Sequence, residues 1–175
     1  LLKQNLDSLL IETPLGKVTY PLLEIGLLEN SKNISMLKRS DIKNIKYTAF
    51  IDQCREISFN RSYTNSTITD QGFAPSRFIA LQSRTEFIIT AKPMVRALTF
   101  SMIMDPQSSN GHTVLSMTQN GKEIFKQPIR SGDQVSEVFI PVSQGEIKVL
   151  LDYGEGGAAG DYLILLNPQF IGGDK

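Results

Sequence analysis

The chain has no tryptophan, one cysteine and one histidine in 175 residues, and its eighteen basic residues are matched by eighteen acidic ones. Each scarcity removes a class of function. Cys54 has no partner for an internal disulfide, and a single thiol cannot build a zinc site without other ligand types, so the redox compartment stays open. A net charge of zero leaves no long-range field to gather a polyanion or an anionic membrane, which argues against nucleic acid as a partner. The nearest basic patch, Lys38, Arg39, Lys43 and Lys46, is interrupted by Asp41 and reads as a solvated face. No apolar run approaches the roughly eighteen residues of a membrane-spanning helix, so no insertion of this segment into a membrane is expected. His112 stands alone in a polar loop after Asn110-Gly111, where a surface role is expected, and there is no Gly-x-Ser-x-Gly elbow. Without a base facing a nucleophile, an enzyme is not expected.

What is present is the composition of a globular domain: 41% apolar residues are enough for a packed core, and 21% charged residues are too few for a disordered chain. From Ile57 onward the sequence breaks into short runs with a period of two, separated by turn residues. Candidate strands are Arg77 to Gln82, Glu86 to Ala91, Val95 to Met104, Thr113 to Thr118, Lys122 to Gln127, Ser136 to Pro141, Glu146 to Tyr153 and Tyr162 to Leu166, with a last short one near Phe170 and Ile171. In the third of these Leu98, Phe100 and Met102 share one face and Ala97, Thr99 and Ser101 the other; Met102 and Met104 therefore read as packing, not as soft-metal ligands. Asn120-Gly121 accepts the left-handed angles of a tight hairpin. Short strands without intervening helical runs predict an antiparallel β-sandwich over residues 57–175.

The first 56 residues predict a mixed, partly helical extension packed on that sandwich. Leu2, Leu6, Leu9 and Leu10 recur at helical spacing before Pro14 and Gly16. Val18 to Leu28 reads as an edge strand or an irregular apolar segment, because it contains Pro21 and Gly26. Ser40 suits the cap of a helix from Asp41 towards Gln53, with Ile42, Ile45, Ala49 and Phe50 along one side, although Tyr47, Thr48, Phe50 and Ile51 equally suit a strand. The opening Leu1-Leu2-Lys3 has neither an initiator methionine nor the form of a signal peptide, and the chain reads as a piece of a longer protein.

The glycine-rich stretch Gly154 to Gly160 lacks the Gly-Lys-Ser/Thr of a phosphate-binding loop and is followed by a strand where that loop needs a helix. Asp152, Glu155 and Asp161 around it are oxygen ligands of the kind calcium accepts; against that stands the plainer reading of acids that keep a loop soluble, with no cofactor. For a sugar, stacking rings and hydroxyl-reading donors are required together. The rings beside polar neighbours are Tyr63, Phe73, Tyr153 and Tyr162, and the donors are Arg61, Asn65, Arg84 and Gln107. Tyr153 and Tyr162 flank the glycine loop, so Tyr153, Tyr162, Arg84 and Asn65 are the candidate ligand-binding set.

The run Val138-Phe139-Ile140-Pro141-Val142, then Gly145 to Leu151, the glycine loop, Asp161-Tyr162 and Asn167-Pro168-Gln169-Phe170 resembles the closing strands of jelly-roll carbohydrate-binding modules of the galactose-binding-like type. Tyr162 stands where such modules often place tryptophan. The resemblance implies a jelly-roll-like sandwich that serves as a non-catalytic accessory module, binding a glycan or supporting an adjoining glycan-related domain of a larger protein outside the cytoplasm or at the cell envelope. The competing expectation is a protein–protein interaction or assembly domain without a small ligand, partnered by an adjoining domain or another protein.

Overall fold

The computed structural model describes residues 3–5, 8–13, 16–21, 34–48, 55–69, 74–155 and 160–172. The chain divides into two compact units, residues 1–32 and 33–175.

The first unit is a three-stranded antiparallel sheet of β1 (Lys3–Asn5), β2 (Ser8–Thr13) and β3 (Gly16–Pro21), in that order. Leu9 and Leu10 therefore lie in a strand and not in the expected helix; Leu2 and Leu6 fall outside the described residues. A helix of two turns is marginal in water, whereas pairing β2 with a neighbour on each side gives its backbone partners along both edges. Of the segment Val18 to Leu28, residues 18–21 lie in the edge strand β3, where the missing N–H of Pro21 is tolerated, and residues 22–28 lie outside the described residues.

The second unit is a sandwich of two antiparallel sheets. Its strands are β4 (Ile34–Met36), β5 (Ile42–Tyr47), β6 (Ser58–Phe59), β7 (Phe78–Gln82), β8 (Thr85–Ala91), β9 (Val95–Met104), β10 (His112–Gln119), β11 (Lys122–Arg130), β12 (Ser136–Pro141), β13 (Gly145–Tyr153) and β14 (Tyr162–Gly172). One sheet runs β11-β10-β13-β8-β5 and the other β12-β9-β14-β7-β6, with β4 also paired to β14. From β7 onward each strand joins the sheet opposite its predecessor, except at the β10–β11 hairpin. That alternation is the jelly-roll pattern, and it makes most contacts distant in sequence.

Burial follows the predicted parity. Phe87, Ile89, Leu115, Met117, Ile147, Val149 and Leu151 from one sheet meet Leu98, Phe100, Met102, Leu163 and Leu165 from the other. Each such side chain contributes about 1.5–3 kcal/mol on removal from water. Asn120 and Gly121 both take positive φ, 52° and 75°, as a two-residue hairpin turn requires. β14 is buried on both faces, because Ile164 and Leu166 sit in a second cluster with Ala80 under Ile68. The segment carrying Ile68 thus covers the outer face of the six-stranded sheet.

Three expectations are corrected here. The proposed helix from Asp41 towards Gln53 is a 3-10 turn at Arg39–Asp41 followed by β5; residues 49–54 lie outside the described residues. Asn44, at φ 51°, accompanies a break in the register between Lys43 and Lys46, so Ile42 and Ile45 keep the same side at a spacing of three that imitates a helix. The sandwich also begins near Asn33 and not at Ile57, since β4 and β5 belong to its two sheets and Leu37 and Ile42 to its core. Asn167-Pro168 does not end the last strand. It sits at a register shift inside β14, where a residue without an N–H costs no ladder bond, and the Pro168 carbonyl accepts the Leu37 N–H at 2.8 Å.

Candidate functional site

One end of the sandwich gathers the chemistry-bearing loops: the Ser83-Arg84 turn between β7 and β8, the loop from Asp105 to Gly111, and the glycine-rich loop between β13 and β14. Asp161 closes the last of these. It is about 1% exposed, and its Oδ1 accepts the His112 N–H at 2.8 Å, while Oδ2 has no partner among the described residues. Burial pushes its carboxyl above the usual aspartate range, and the His112 N–H only partly offsets this. The His112 carbonyl accepts the Gly154 N–H at 2.6 Å, and its Nδ1 accepts the Glu155 N–H at 2.9 Å. His112 is therefore half-buried and fastens both ends of the loop, where a solvated side chain was expected. Gly154 makes room for it, since a Cβ there would stand 2.5 Å from the imidazole.

The acids proposed for calcium are not brought together. Asp152 pairs with Arg84 at 3.7 Å, Glu155 with Arg130 at 3.1 Å, and Asp161 is turned inward on the His112 N–H. No group of three metal-ligating side chains occurs among the described residues.

The four residues proposed for a ligand divide into two places. Arg84, at φ 69°, lays its guanidinium over the Tyr153 ring at 5.2 Å while paired with Asp152. Tyr153 is 42% exposed, but one face of its ring is covered. Tyr162 faces elsewhere. Its ring lies 5.2 Å from that of Tyr63, and the Arg55 guanidinium sits 5.3 Å from Tyr162 and 5.7 Å from Tyr63. Tyr162 thus backs a cleft of about 570 Å³ lined by Arg55, Glu56, Ser58, Arg61, Tyr63 and Asn65, with Ile57 and Ser62.

The cleft wall is fixed from behind. Asp105, buried at the end of β9, accepts hydrogen bonds from the Ser62 hydroxyl at 2.8 Å, the Ser66 hydroxyl at 3.2 Å and the Thr64 hydroxyl, and from the Gln107 N–H. Three hydroxyls at alternate positions of one segment close on one carboxylate, so the chain between them is held in a single shape. The Tyr63 hydroxyl shares its one proton between the carbonyls of Glu56 and Ala80, at 2.7 and 2.9 Å, and burial raises its phenol above the usual range. The ring is therefore a rigid floor with its polar tip already used. The Arg55 N–H donates to Gln82 Oε1 at 2.8 Å and its Nη1 to the Tyr63 carbonyl at 2.9 Å.

Of the sequence candidates, Asn65, Arg61 and Tyr63 line the cleft and Tyr162 supports it; Phe73 lies outside the described residues. Arg55 was missed. It comes from a segment with no periodic pattern, and only the pairing of β6 with β7 brings it over the two rings.

No family model matches the chain, and a search of curated proteins finds no match. Solved structures do match. CBM51 from Clostridium perfringens GH95, in complex with methyl-galactose, superposes with a TM-score of 0.66 at 12% identity, covering 78% of this chain and 99% of that one. The tandem CBM51 modules of the family 98 glycoside hydrolase Sp3GH98 from Streptococcus pneumoniae give 0.67 at 11% identity, covering 90% of this chain and 53% of theirs. CBM51-2 with the INT domains of Clostridium perfringens ZmpB, in complex with GlcNAc, gives 0.63 at 12%, covering 75% and 30%. At such identities the likeness shows the fold alone: the sandwich is a jelly roll like that of those modules.

Proposed function

We propose that this chain is a non-catalytic accessory module of a larger extracytoplasmic or cell-envelope protein, and that it binds carbohydrate in the cleft between Arg55, Arg61, Tyr63 and Asn65. The observation that carries this reading is the cleft itself: about 570 Å³, with a tyrosine floor, guanidinium and amide donors, and a wall held rigid by Asp105. A pocket with an immobile ring and few polar anchors loses little conformational freedom when a pyranose enters, which is what weak-affinity sugar recognition needs. Modules of the same fold solved with methyl-galactose and with GlcNAc support it. Asp152, Glu155 and Asp161 each answer to a partner within the protein, so calcium has no part in this proposal.

The test is titration against a panel of neutral and acidic glycans. A saturable response is expected that falls at least about tenfold in Tyr63→Ala and in Asn65→Ala and is unchanged in Tyr153→Ala. Silence across the panel refutes the reading. A second reading, docking to another protein, has one observation in its favour: Phe139 is 65% exposed on the edge strand β12. It gains ground if Phe139→Ser abolishes association with the parent protein while glycan binding is absent.

A further inference from the structure

Within the carbohydrate reading, the cleft's charged groups are unequally supplied: among the described residues its lining carries two guanidinium groups and one carboxylate. Glu56 is the one acid among the described residues of the lining; it is 79% exposed and lies 3.9 Å from the Arg39 guanidinium. Asp105, the nearest buried carboxylate, is committed to three hydroxyls. The tyrosine hydroxyl of the floor directs its one proton at the backbone carbonyls of Glu56 and Ala80 and has none to give a ligand. Against this stand two guanidinium groups. Among the described residues Arg61 has neither a hydrogen bond nor an ion pair, and Arg55 uses one of its side-chain nitrogens on a carbonyl and meets no carboxylate.

A neutral sugar presents hydroxyls that donate as well as accept, and its recognition leans on carboxylates that take up those protons. Among the described residues this cleft offers one carboxylate, Glu56, and the Arg39 guanidinium lies beside it, so positive charge is in excess there. Arginine presents a planar fork of donors, always charged, that matches the paired oxygens of a carboxylate or sulfate. We infer that the cleft selects a sugar carrying an anionic oxygen group, a carboxylate or a sulfate ester, which Arg61 and Arg55 engage while the ring stacks beside Tyr63. The selection is local, because the chain as a whole is neutral and steers no anion from a distance.

The inference rests on the carbohydrate reading, and matched probes separate the two. Titrations compare methyl galactoside with methyl galacturonide, and N-acetylglucosamine with its 6-sulfate, each at low and at physiological salt. The expected result is at least tenfold tighter binding of the acidic member of one pair; which pair responds tells carboxylate from sulfate. Arg61→Gln alters an exposed side chain with no partner among the described residues, so it should fold as the parent does and reduce the preference about tenfold, and Arg55→Gln should also reduce it. Lys122→Gln, which removes one charge at the far end of the molecule, should leave the preference intact. Equal affinity within both pairs overturns the inference and leaves carbohydrate binding standing. Absence of binding to all four probes overturns both.

Discussion

At the scale of single residues, Asp161 shows how far a side chain's type can mislead about its work. Its sequence neighbourhood, a glycine loop between two other acids, suited a cation. In the fold its carboxylate is buried, accepts the His112 N–H and leaves Oδ2 without a partner. Burial raises the folded carboxyl's pKa above its unfolded value of about 3.9, so the protonated form favours the fold. Its contribution is complete below the unfolded value and is lost as pH rises through the raised folded one. Asp161→Asn keeps an acceptor for the His112 N–H and carries no charge at any pH. Its melting temperature should exceed the parent's at neutral pH, and the gap should close towards pH 4. Thermal scans from pH 3.5 to 7.5 decide this, and a gap that does not vary with pH refutes it. The residue types that were legible were those acting near their own sequence position: Tyr63 and Asn65 lie within one short segment. Arg55 and the pairing of Arg84 with Asp152 were not, because they arise from strand pairings that no local pattern encodes.

Among elements, strands with an unbroken period of two were legible, since side-chain alternation and burial on one face are the same fact. β9 buries the face predicted for it, and β8, β10 and β13 alternate in burial along their length. Strands interrupted by a residue at positive φ were misread. Asn44 gives β5 the spacing of a helix, and Asn167 divides β14 so that one strand looks like two. The segment from Asn60 to Thr69 has no periodicity and still performs a structural task, for Ile68 seals Ala80, Ile164 and Leu166 on the outer face of the six-stranded sheet. Ile68→Ala should cost about 2–5 kcal/mol, the range for removing a large side chain from a buried cluster. The neighbouring, exposed Thr67→Ala should stay within about 0.5 kcal/mol. Urea denaturation of the pair measures both, and equal midpoints for the two variants would show that the segment does not seal the sheet.

For the whole molecule, the sandwich class could be read from the succession of strands, while its starting point could not. The first 56 residues carry no clean period, and their pattern predicts an appendage to a sandwich that begins at Ile57. The sheets say otherwise: β5 pairs with β8 and β4 with β14, and the segment joining them buries Leu37 and Ile42 in the main core. Residues 1–32 form a sheet of their own. These pairings predict where the chain can be cut. A chain of residues 33–175 keeps every strand of both sandwich sheets and should unfold in one cooperative transition. A chain of residues 57–175 loses the strand that covers β8, the strand paired to the end of β14 and two buried leucine-class side chains, each worth about 2–5 kcal/mol when deleted. That sum rivals the whole stability of a domain, about 5–15 kcal/mol, so this shorter chain should show no cooperative transition. It also lacks Arg55, so any folded fraction should have lost the preference for acidic sugars. Calorimetry of the two truncations gives the answer, and a sharp transition at the same temperature in both would put the boundary back at Ile57.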